Sequence, residues 1–429
     1  MTRKPLFASL ALVAALAACV EDESLNPPTA NPDLVDPLFA RYVAFGNSIT
    51  AGFQSAGIND SVQVLTYANL IGVQMGTEFN TPLLNKPGCP PPLVNIFTQT
   101  TVGNPGPLGC ALRNPTVPEH LNNVAIPGAG VLDVTDPLGT GNFSNTLTSI
   151  IGGGRSQIEN AAEVEPTFVT VWIGNNDALG AATNSANPGN PALVTPPATF
   201  AARYAAMVDS LTAFGTIDGG VLIGVVQAGL APFFTQGRAW WAFAQQFDAL
   251  TAPLNFLDVS AACLANTPLG GADTAWTAVP FTVGGPALAL AGARKDSVLA
   301  GQIAPGAQVV VTITCADDKA IINTEMANIF ASVAQYNATI EAAAAELDWI
   351  YVDPNDLLLS LVGTPGAILS FPAFPGLPGV TAEMSQNTPF GTALSRDGIH
   401  PSTSTHRLVA NALIQAINAK YGTDIAAVN

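Results

Sequence analysis

Charge is scarce in this chain: Asp, Glu, Lys and Arg together make up 10% of 429 residues. What charge there is falls on one side, with 14 basic residues against 31 acidic ones and a net charge of -17. Such a field repels phosphate backbones and anionic membrane surfaces, so nucleic acid is excluded as an expected partner. Histidine occurs three times and cysteine five times, with no C-x-x-C pair. Those numbers and spacings disfavour a zinc site, and no metal is expected. Neither a P-loop nor a G-x-G-x-x-G fingerprint is present, so no cofactor is implied. Residues 357–382 are uncharged but hold four prolines and four glycines, which defeats a membrane helix. That stretch is expected to be an apolar loop packed on the body.

Gly (39) and Pro (34) are plentiful within a chain that is 48% apolar, a globular composition with long irregular connections. At the start, Arg3 and Lys4 precede an apolar run from Pro5 to Ala18, the charge order of a secretory signal. "LAAC" at 16–19 resembles a bacterial lipobox, which implies that residues 1–18 are removed and Cys19 is acylated. Val20 after the cysteine resembles signals for outer-membrane delivery. Loss of Arg3 and Lys4 leaves 12 basic against 31 acidic residues, or -19. Residues 19–40, acidic and then Pro/Asn-rich, read as a lipidated tether that holds the protein to the cell envelope membrane. Cys89, Cys110, Cys263 and Cys315 remain, an even number in an exported chain, with three possible disulfide connectivities. Pairing by proximity favours Cys89–Cys110 and Cys263–Cys315.

From Arg41 onward, apolar runs ending in Gly or Asn alternate with helical patterns. The runs include "YVAFGNS" (42–48), "NNVAIPG" (122–128), "TFVTVWIGNND" (167–177), "GGVLIGVVQAG" (219–229) and "WIYVDPND" (349–356); helical spacing covers 200–214, 326–347 and 403–422. Near-continuous apolar strands between helices predict a parallel sheet covered on both faces, hence one α/β/α domain over 41–429. Two segments break the alternation, at about 82–118 and 230–322, and read as insertions.

Ser48 follows the first apolar run at a Gly46-Asn47 turn. Serine is common in turns, and as a nucleophile it needs a general base, itself oriented by an acid. His120 and His406 lack such a setting and read as structural. His400 lies in "SRDGIHPST", three residues after Asp397, so one short loop could supply both base and acid. Acyl transfer also needs donors for a developing oxyanion. Gly128, with no side chain to obstruct its N–H, and Asn176, with a donating amide, both end apolar runs. In an open parallel sheet those ends lie together, at the carboxyl edge where ligands bind.

Four blocks, "FGNSIT" (45–50), "NVAIPG" (123–128), "GNND" (174–177) and "DGIHP" (397–401), occur in the order found in the GDSL-type, or SGNH, hydrolases, which the chain resembles across roughly 41–422. The resemblance implies a three-layer α/β/α sandwich with a flavodoxin-like parallel sheet. It implies Ser48 as nucleophile, His400 as base and Asp397 as orienting acid, with the Ser48 and Gly128 N–H groups and the Asn176 side chain as oxyanion donors. Asn47 stands where the family usually has Asp, and Ile49 where it has Leu. The activity implied is that of a lipase or esterase cleaving carboxylic esters. Small-molecule, lipid and acetylated-glycan esters remain open as substrates, and a binding lipoprotein on a hydrolase scaffold is the rival reading. Phe371 and Phe374 either line an acyl pocket or fill the core.

Overall fold

A computed structural model describes residues 34–103, 113–118, 120–136, 146–249, 254–270, 273–304, 309–316 and 318–429. The expected signal, Cys19 and Cys110 lie outside the described residues. Four parallel strands make the central sheet: β1 (Tyr42–Gly46), β2 (Phe168–Trp172), β3 (Gly219–Ile223) and β4 (Ile350–Val352). Every residue of β1, β2 and β3 is buried, as a sheet covered on both faces requires. Residues 122–126 run along the outer edge of β1, where the Ala44 N–H donates to the Asn122 carbonyl at 2.8 Å and the Val124 N–H to the Ala44 carbonyl at 3.0 Å. The spatial order is therefore 122–126, β1, β2, β3, β4. This is the flavodoxin-like winding, with its switch point at the carboxyl end of β1.

The helices that frame the sheet are α1 (Ser48–Ala51), α2 (Tyr67–Met75), α3 (Gln157–Ala162), α4 (Asn176–Ala182), α5 (Pro197–Thr212), α6 (Asn323–Glu346), α7 (Pro354–Val362) and α8 (Thr403–Tyr421). Strand side chains alternate between two cores. Val43, Phe45, Val169, Val171 and Leu222 pack on the α5 and α6 side. Tyr42, Ala44, Phe168, Trp172, Val221 and Ile223 pack on the α2 and α8 side. This is the three-layer sandwich expected from the sequence. Local chemistry sets the helix ends: Thr66 and Ser402 cap the starts of α2 and α8, and left-handed Gly76 and Gly422 close them.

The ordered body begins before Arg41. Phe39 is fully buried against Phe168, and the Val35 N–H donates to the Met75 carbonyl, so the end of the expected tether is part of the fold. Residues 230–322 bring a second core, built around Trp240, Val279, Phe281 and Leu288, which Phe374 and Phe390 complete. Cys263 and Cys315 form a disulfide there, as proximity suggested, and Cys89 is also disulfide-bonded. Residues 357–382 are not loop throughout. Asp353 caps α7 by accepting the Asn355 N–H, and Pro354 takes the first helical position, so a helix runs to Val362.

Candidate active site

The turn after β1 has no room for a side chain. A Cβ on Gly46 would sit 2.2 Å from Thr50 Oγ1 and 2.9 Å from the Trp172 carbonyl oxygen. Gln157, fully buried at the start of α3, accepts the Gly46 N–H at 2.9 Å and donates to the Gly46 carbonyl at 2.8 Å. Asn123 donates from its side chain to the Thr50 carbonyl at 2.8 Å. Asn47 caps α1 by accepting the Ile49 N–H. The strand end is thus held on both sides, with Ser48 at the first position of the helix that follows.

Ser48 Oγ lies 3.0 Å from His400 Nε2, and His400 Nδ1 lies 2.8 Å from Asp397 Oδ2. Asp397 also accepts the Ala56 N–H on Oδ2, and the Ser395 hydroxyl and the Ile399 and His400 N–H groups on Oδ1. Burial alone would raise its pKa. The charge of His400 and the hydrogen bonds from His400 and Ile399 outweigh burial and bring the carboxyl down to about 2. An ionised carboxylate only accepts, so His400 donates from Nδ1 and its Nε2 lone pair faces the serine hydroxyl. The loop itself is clamped to residues 55–56: the Ser55 N–H donates to Ser395 Oγ, and the Arg396 N–H to Ser55 Oγ. Gly398 turns in the left-handed region (φ +72°), where a Cβ would strike the Phe390 ring.

Strand register brings the other two blocks to this end of the sheet. Gly46 pairs with Trp172, and the Ile126 N–H donates to the Gly46 carbonyl. Gly128 and Asn176 follow those partners by two and four residues. Gly128 adopts φ +87°. Asn176 uses one amide hydrogen to hold the Ala129 carbonyl at 2.8 Å and has a second to offer. Behind this loop lie two carboxyls. Asp177 accepts the Val131 N–H and the Thr195 hydroxyl, and Asp133 accepts the Gly130 N–H. Burial raises both pKa values; that of Asp133 reaches about 6, with the Asp177 charge adding to the rise.

The remaining histidines sit apart from this chemistry. His120 pairs with Glu78 on the surface at 3.5 Å. His406 is fully buried and accepts the Tyr67 N–H on Nδ1. Phe371 and Phe374 also lie elsewhere: Phe371 stacks on Phe243 with ring centres 4.6 Å apart, and Phe374 on Phe281 at 5.8 Å. They fill the core of the insertion. Sequence reading missed Gln157, Asn123 and Ser395, which hold the site in place. Of the three, only Gln157 lies in a local pattern that could have marked it, the helix start "RSQIE" with Ser156 and Glu159 as a capping box.

No family model matches the chain, and no curated protein matches its sequence. Among solved structures, the chain is similar to an acetyl-xylooligosaccharide esterase variant from Geobacillus stearothermophilus, with TM-score 0.37 and 12% identity over 90% of this chain and 96% of that one. A catalytic mutant of an acetylxylan esterase from the same organism gives TM-score 0.36 and 12% identity over 90% and 96% of the two chains. The extracellular lipase of Streptomyces rimosus gives TM-score 0.29 and 15% identity, over 89% and 97%. Overlap at this level does not assign chemistry, which has to come from the side chains themselves.

Proposed function

We propose that this protein is a serine ester hydrolase of the SGNH/GDSL type, cleaving carboxylic esters through an acyl-Ser48 intermediate. The unbroken hydrogen-bond chain from Asp397 through His400 to Ser48 carries the reading. His400 Nε2 takes the serine proton as Oγ bonds to the ester carbonyl carbon. The resulting oxyanion is met by the N–H groups of Ser48 and Gly128 and the Asn176 amide. Collapse breaks the carbon–oxygen bond of the alcohol, which leaves with the proton from His400. Water, deprotonated in turn by His400, releases the acid and restores Ser48.

Ser48→Ala and His400→Ala should each lower ester hydrolysis by orders of magnitude with the thermal melt unchanged, and Asn176→Ala should lower it by about 10²–10³. A fluorophosphonate probe should label Ser48 alone. Full activity in Ser48→Ala would sink the mechanism. The location is proposed from the sequence: lipid anchoring through Cys19 to the bacterial envelope, at the outer membrane. Fatty-acid labelling should be lost in Cys19→Ser, and a wild type that takes up no label in a lipoprotein-processing bacterium would remove the anchor.

A further inference from the structure

A cavity of about 440 Å³ opens beside Ser48 and His400 and runs between α7 and α8, across the carboxyl ends of β3 and β4. Its walls are mainly apolar, with Ile49, Val226, Leu357, Leu361, Leu394 and Leu413 among them. The wall made by α7 is unusual. Residues 357–362 read Leu-Leu-Leu-Ser-Leu-Val, yet none of these apolar side chains is buried, and Leu359 and Val362 are 54% and 47% exposed. The buried part of the attachment of α7 is polar. Asn355, its one buried residue, donates to the Val225 carbonyl at 3.0 Å and accepts the Gln227 N–H at 2.8 Å. A helix this apolar ordinarily turns its leucines into a core. Here Leu357 and Leu361 pack only in part on the neighbouring cores, and together with Leu358 they line a space that is continuous with Ser48.

We propose that this cavity is the acyl-binding site, and that the preferred substrates are esters of medium-to-long aliphatic acids rather than acetyl esters. The proposal rests on the esterase reading above and deepens it. The acyl group stays bonded to Ser48 Oγ while the alcohol departs and water enters, so the mainly apolar space that begins at Ser48 suits the half of the ester that remains. An acetyl group would leave the cavity unfilled, and its apolar walls would contribute nothing to catalysis. On α8 the cavity is bordered by Ala412 and Ala416, and Ala412 is exposed enough to accept a larger side chain without displacing the core.

The test compares wild type with Ala412→Phe and Leu361→Trp, which fill the cavity from opposite walls. The measured quantity is the ratio of kcat/KM for octanoyl over acetyl p-nitrophenyl esters. The ratio should fall about tenfold or more in both variants. The same loss should appear with methyl octanoate and not with hexyl acetate. Binding of dansyl-undecanoate is then measured in Ser48→Ala, where catalysis plays no part, and adding Ala412→Phe should weaken it about tenfold or more. An unchanged ratio in both variants, a loss that follows hexyl acetate instead, or probe binding insensitive to Ala412→Phe overturns the acyl assignment. Full hydrolysis by Ser48→Ala would strike the catalytic reading instead, and the probe titration would still decide the cavity.

Discussion

Asn47 stands directly before Ser48 with one end of its amide used and the other idle. Its Oδ1 accepts the Ile49 N–H at 3.2 Å, while Nδ2, buried, finds no acceptor among the described residues. An unsatisfied buried donor costs about 1–3 kcal/mol. An aspartate at this position would keep the cap and remove the idle donor. Asn47→Asp should therefore retain most ester hydrolysis, whereas Asn47→Ala, which loses the cap, should cost about 1 kcal/mol of stability. Thermal melts and kcat/KM on one ester check both; equal damage from the two substitutions would show that the cap is not what the position supplies. The proposed site residues Ser48, Asp397, His400, Gly128 and Asn176 stood out in the sequence because each closes an apolar run or lies in a tight motif. Gln157 and Asn123 were not. Their roles arise from hydrogen bonds spanning 111 and 73 residues, and no local pattern announces such a partner.

Among the elements, strands and long helices followed their periodicity, while the errors fell where packing is non-local. Phe371 and Phe374 are near Asp397 in sequence but insert among Trp240, Phe243 and Phe281, so of the two roles left open for them the structure supports core filling. For α7, the Asp353-Pro354 start signal was present, but the many later prolines drew the whole stretch into a loop. The insertion at 230–322 is more than an appendage. The Phe233 N–H donates to the Gly398 carbonyl at 3.2 Å, and Phe281 meets Phe390 edge-on at 5.4 Å, so the insertion buttresses the loop that carries His400. Its disulfide spans 52 residues. Replacing Cys263 and Cys315 together by serine should lower stability by about 2–4 kcal/mol. Fluorophosphonate labelling of Ser48 should survive at low temperature and fail earlier on heating than in wild type. Coincident heat-loss curves for the two proteins would mean that the insertion does not support the site.

Across the whole molecule, buried titratable groups set the response to acid, and their signs differ. His406 is held down to about 3, first by burial and then by His400. Its neutral form is favoured by folding, so this contribution to stability is complete above about pH 6.5 and is lost as pH falls through 3. Asp133, raised to about 6, acts oppositely: its contribution is present below about pH 4 and is lost as pH rises through 6. Asp397, held at about 2, contributes about 2 kcal/mol above pH 4 that disappears as pH falls towards 2. As pH falls from about 6 to 4 the folded state preferentially takes up a proton at Asp133, and Asp177, also raised by burial, acts in the same direction, while the unfolded state takes one up at His406. Below about pH 4, Asp133 is protonated in both states, and His406 and Asp397 then destabilise the fold together. The urea midpoint of the wild type should therefore hold or rise from pH 6 to 4, where the two carboxyls oppose His406, and drop steeply below. In His406→Gln, which cannot take up a proton, the midpoint should rise more steeply as pH falls from 6 to 4, with Asp133 and Asp177 acting unopposed. Superimposable profiles for the two proteins would show that His406 does not govern acid stability.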